Sequence, residues 1–242
     1  NPQQMRQALL SLMAEVAAKD ELLARRDREV AFKQALIDKL THENAILKRL
    51  RHALSSEKFC AGMSAEQKRV RDAIINGRRG ELVGPLRAAL HNPELAARWS
   101  QLGETLRYRT RLPTRLSELA VLMTARVWNS ELEWGVHRRA AEAAGLEVAT
   151  IEAIRAGAAP ALADPADREI YDFVRDMLTG GDVGEAAYQA VLARWGEGGV
   201  VELTALVGYY CMVALTLNVH RIPLPVGLGV ELVAGRVEAL LA

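Results

Sequence analysis

Cysteine is scarce: the 242 residues hold two, Cys60 and Cys211, and no Cys-x-x-Cys pair. That excludes a disulfide framework and a thiolate zinc site, so no metal is expected, and a reducing cytoplasm is the expected compartment. Charge of one sign is also lacking, with a net of +1. A strongly electrostatic partner for the whole chain is therefore not expected. Residues 1–58 hold eleven Lys/Arg and eight Asp/Glu, an excess too mild to imply nucleic-acid binding. The start is polar, without the apolar core of a signal peptide. Alternating strand patterns longer than a few residues are missing, as is any repeat.

What is present is helical. Half of the residues are hydrophobic and a quarter charged, enough for one packed domain of ordinary size plus an appendage. Residues 4–58 contain neither Gly nor Pro and read as one long helix. With Leu9 at heptad position a, the a column runs Leu9, Val16, Leu23, Val30, Ile37, Asn44, Arg51. The d column is Leu12, Lys19, Arg26, Lys33, Leu40, Leu47, Leu54, apolar only at its ends. This is an imperfect coiled-coil seam, and one Asn at an a position is a device for register and pairing. The alternative is a single amphipathic helix docked on its own domain.

After a short linker, 59–64, helix signals continue over 65–242. Ser64 and Gln67 form a capping-box pattern before Ala65–Asn76. Pro85 opens a short helix, and Asn92-Pro93 caps one running to Tyr108. Pro113 starts the next, which carries Glu118 and Arg126. Asn129 or Ser130 starts another that Gly145 ends. Segments 147–156, 165–178, 182–195 and 200–219 follow, and 226–241 reads as a last amphipathic helix. The run Leu203–Val219 approaches membrane-spanning length, but Glu202 and Asn218 bound it and Tyr209-Tyr210-Cys211 interrupt it. A buried core helix is expected there, not a membrane span.

The chemistry gathers in Glu118–His137. Ser130, Glu133 and His137 recur at i, i+3 and i+7, which places Glu133 and His137 one turn apart on a shared face. A carboxylate beside an imidazole orients it and favours its charged form, as a proton shuttle requires. Ser130-x-x-Glu133 also reads as a plain capping box, which needs no chemistry. Glu118, in an apolar stretch, lies either on a wet face or buried as a proton carrier. Arg126 is either a bidentate partner for a substrate carboxylate or a structural ion pair. Trp134 is core or pocket wall, His220 lines the pocket or is solvated, and Cys211 reads as an inert buried thiol.

The pattern Glu118 … Ser130-x-x-Glu133-x-x-x-His137, with Glu133-Trp134-Gly135-Val136-His137, resembles the active-site helix of the carboxymuconolactone decarboxylase and AhpD-like family. Leu217-Asn218-Val219-His220-Arg221-Ile222-Pro223-Leu224-Pro225 resembles that family's closing segment, so the resemblance runs from about Met63 to Pro225. Both cysteines of its peroxide-reducing branch are absent here. The resemblance implies an all-α, AhpD-like domain that assembles as a trimer or hexamer. It also implies cofactor-free lyase chemistry on a small carboxylated lactone or related acid. Glu118, Glu133 and His137 would be catalytic; Arg126, Ser130, Trp134 and His220 would bind the substrate. Peroxidase activity and a catalytically silent interaction protein are the alternatives. Residues 17–59 separately resemble the leucine-zipper-like region of an insertion-sequence transposase. That resemblance implies a fusion across 60–63, in which Met63 would be the start of the second part and 1–62 an acquired leader.

Overall fold

The computed structural model describes residues 62–242 apart from 79, 83, 226, 233–236 and 242, and, earlier in the chain, positions 2, 3, 5, 13, 16, 19, 20, 23, 26, 27, 30, 33 and 34. The chain divides into two compact units, Asn1–Ala61 and Gly62–Ala242. In the first unit each described position is helical. Val16, Leu23 and Val30, spaced by heptads, are 53%, 57% and 64% exposed, so three apolar members of one column present themselves to solvent. The other a positions, Asn44 among them, and Cys60 lie outside the described residues.

The second unit is all-α among its described residues. Its helices are α1 (Ala65–Asn76), α2 (Pro85–Ala89), α3 (Pro93–Tyr108), α4 (Thr114–Val127), α5 (Glu131–Ala143), α6 (Val148–Ala156), α7 (Pro165–Gly180), α8 (Glu185–Val219) and α9 (Glu238–Leu241). Local chemistry sets the starts. Ser64 Oγ accepts from the Gln67 amide while Gln67 Oε1 accepts from the Ser64 amide, the reciprocal capping box expected from the sequence. Asn92 accepts from the Leu95 amide at 3.2 Å, with Pro93 in the first turn.

α4 is the central rod. It packs against α5, α6, α7 and α8, and Leu116 and residues 118–126 are all buried. A helix that is buried on every side belongs in the middle of a core. Three polar side chains are buried with it, and each has a partner. Glu118 meets His137, Thr124 bonds the Ala120 carbonyl at 2.9 Å, and Arg126 bonds the Arg155 carbonyl at 3.0 Å.

α8 is broken at Gly196, whose φ of 68° and ψ of 179° only glycine adopts without strain. The break separates the two helical segments expected on either side of residue 196. By length and composition α8 would suffice to cross a membrane, with mean hydropathy 1.8 over its most apolar window. Its second arm nonetheless buries Leu203, Leu206, Tyr210, Val213 and Leu217 in the bundle, and the helix packs along α4, α7 and α3.

The expected helix over 226–241 is corrected. Among the described residues of that stretch only Glu238–Leu241 is helical, and 227–232 is an irregular strap. Two glycines, Gly227 and Gly229, lower its helix propensity. Its backbone amides at Glu231 and Leu232 are instead taken by the carboxylate of Glu131, each at 2.9 Å.

Candidate functional site

The site lies where α4, α5 and the second arm of α8 meet. Pro113 holds the start of α4, and Glu118 follows on its second turn. α4 ends at Trp128, and Asn129 turns the chain with a φ of 47°, a left-handed conformation that Asn tolerates. Ser130 then opens α5, which runs back along α4 and so brings His137 opposite Glu118.

His137 Nδ1 lies 2.7 Å from Glu118 Oε2. Both side chains are buried, at 5% and 8% exposure. With Glu118 ionised, Nδ1 carries the proton and donates, and Nε2 is left for another partner. Tyr210 from α8 meets the imidazole edge to face, with ring centroids 4.8 Å apart and planes at 83°. Tyr209 stacks on Tyr210 in the same way at 5.2 Å, and Trp99 of α3 stacks on Tyr209 at 6.4 Å. The imidazole is therefore held from two sides, by a carboxylate and by an aromatic column.

Glu133 behaves differently from the expectation that it partners His137. Among the described residues neither of its oxygens has a hydrogen-bond partner, and it is 2% exposed. Burial pushes its carboxyl well above the ordinary carboxylate range. Ser130 Oγ, wholly buried, is likewise unbonded, so the expected Ser130–Glu133 capping box does not form. The Asn129 turn delivers α5 with both side chains facing the interior, away from the free amides of the first turn. The result is a neutral acid and a hydroxyl, each with unused capacity, one and two turns before His137 on the same helix.

The proposed substrate-binding residues fare unevenly. Arg126 is 2% exposed, and its guanidinium is used by the Arg155 carbonyl and by Asn129 Oδ1. It fastens α4 to α6, so its placement does not fit a receiver of substrate carboxylate. Trp134 is fully buried, with its indole N–H donated to Glu231 Oε2 at 3.0 Å. His220 is the exposed C-cap of α8. Cys211 is half-buried and accepts from the Trp128 indole at 3.2 Å. Burial pushes its thiol up, with the Trp128 bond opposing. Tyr210 carries no separate signal in the sequence, because a tyrosine within an apolar run reads as core.

Residues 93–176 match the family model described as Carboxymuconolactone decarboxylase family. The match takes in α3 through most of α7, and with them Glu118, Ser130, Glu133 and His137. It includes neither the first 62 residues nor α8 with Tyr210 and Cys211. The stretch is thus similar to that family over the helices that carry the dyad. No curated protein matches the chain.

Proposed function

We propose that the second unit is a carboxymuconolactone decarboxylase-like lyase acting on a small carboxylated lactone or related acid. The observation that carries this is the buried His137–Glu118 pair at 2.7 Å, with Glu133 unpartnered one turn away. The substrate's carboxylate leaves as CO2 when its C–C bond breaks and the electron pair moves into the conjugated lactone. His137 Nε2 takes up a proton from solvent and delivers it to the carbanion, which returns the ring to the neutral tautomer with its proton on Nδ1. Glu118 orients the ring and lies beside it while it carries charge, as the carboxylate does in other carboxylate–histidine pairs. Glu133, held neutral by burial, donates a hydrogen bond to the oxygen on which charge develops.

Decarboxylation of 4-carboxymuconolactone by the full chain, followed as CO2 release, tests the reading. His137→Gln should keep the fold, since Gln is a good helix former, and lower turnover by about 10²–10⁴. Unchanged turnover in a folded His137→Gln protein would remove the dyad from the chemistry. The same preparation is expected to show no thiol-dependent reduction of hydrogen peroxide, because burial pushes the Cys211 thiol up and so disfavours the reactive thiolate. Peroxide turnover that disappears in Cys211→Ser would favour the peroxidase reading instead.

A further inference from the structure

A lactone acid needs a counter-charge, and the arginine expected to supply it is spent inside the core. The other cations near α5 are also engaged: Arg138 by Glu142, Glu152 and Glu231, and Arg139 by the Gly227 carbonyl. Two arginines elsewhere in the unit stand out for the opposite reason. Arg78, in the turn after α1, places its guanidinium 4.4 Å from the centre of the Tyr108 ring. Arg107, in the last turn of α3, lies 5.6 Å from the same centre. Both side chains belong to exposed residues, and neither forms a hydrogen bond or ion pair among the described residues.

We propose that Arg78 and Arg107, bracketing Tyr108, form the carboxylate-receiving end of the site. Two guanidinium groups against one ring repel each other, and the ring's face offsets only part of that. An incoming carboxylate relieves the repulsion and matches the planar donor fork of either arginine. The connection to the chemistry runs through Arg107, which lies within electrostatic reach of Tyr210 and Glu118. α3 packs against α8, and the Trp99–Tyr209–Tyr210 column ties that contact to His137. The ligand class is a small organic acid whose anionic end meets the arginines, and its binding is felt at the imidazole through the Tyr209–Tyr210 contact. This inference deepens the lyase reading and rests on it for the choice of substrate. Its test needs no turnover.

Sodium benzoate is titrated into the full chain at low ionic strength while the His137 ring resonance is followed by NMR, with benzamide as the uncharged control. Benzoate should shift that resonance saturably and benzamide should not. Arg107→Gln should weaken benzoate binding by about tenfold or more, Arg107→Lys by less, and Arg78→Gln measurably. Arg98→Gln, an exposed arginine of α3 paired with Glu94, should leave binding unchanged. No benzoate response at His137, an equal response to benzamide, an unchanged dissociation constant in Arg107→Gln, or an equal loss in Arg98→Gln would each overturn the assignment. A protein that binds benzoate in this way but releases no CO2 would refute the lyase reading and leave the anion site standing.

Discussion

At the scale of residues, Glu118 and Glu133 show how differently one side chain behaves in two buried settings. Glu118 has an imidazole against it; Glu133 has neither hydrogen-bond donor nor counter-charge within bonding distance among the described residues. The Glu133 carboxyl is raised by burial, so its linkage to stability has a definite sign. Between the ordinary carboxylate pKa, about 4.3, and the raised value, the folded protein holds a proton that the unfolded chain has lost. Unfolding releases it, and stability falls as pH rises through that window. Glu133→Gln should abolish this dependence. Its melting temperature should exceed that of the parent at pH 8 and converge with it near pH 4. A difference that is the same at both pH values would mean that Glu133 is not held neutral.

At the scale of elements, the strap at 227–232 is what holds α5 from its outer side. Gly135 allows it to approach: a Cβ there would come within 3.1 Å of Leu228 Cδ2. Glu231 is the knot, since Trp134 and Arg138 both donate to its carboxylate and Arg155 donates to its backbone carbonyl. Burial works against the Glu231 charge, and the bonds from Arg138 and Trp134 more than offset it, holding its carboxyl below the usual range. Glu231→Leu leaves the indole N–H of fully buried Trp134 without an acceptor, which should cost about 1–3 kcal/mol by urea unfolding. Glu231→Gln keeps a carbonyl for that bond and should cost less. Equal losses in the two variants would show that the Arg138 pairing, rather than the indole bond, secures the strap.

At the scale of the whole molecule, the leader's exposed column sets an expectation about assembly. Val16, Leu23 and Val30 recur every seven residues on a helix and face solvent. Such a column is stabilised when a second copy covers it. Sedimentation equilibrium of the full chain should therefore show a higher oligomer than the Val16→Lys, Leu23→Lys, Val30→Lys variant. An identical mass for both would show that this column does not drive association.

Much of the fold was legible before any coordinates. The helical class, the Ser64–Gln67 and Asn92 caps and the break near residue 196 follow from short-range rules, because caps, prolines and glycines act within a turn of themselves. The Glu118 to His137 constellation was visible too, as residue types at helical spacing. Its wiring was not. Spacing alone pairs Glu133 with His137, its neighbour one turn away, yet the bond goes to Glu118, nineteen residues earlier. Only the antiparallel packing of α5 on α4 brings those two together, and only the Asn129 turn decides that Ser130 and Glu133 face inward. The same limit hid Arg78, Arg107 and Tyr210, which lie on three different elements. A linear pattern records which side chains a helix face offers; which ones meet, and which cations stay unspent, depends on how separate helices are docked in the bundle.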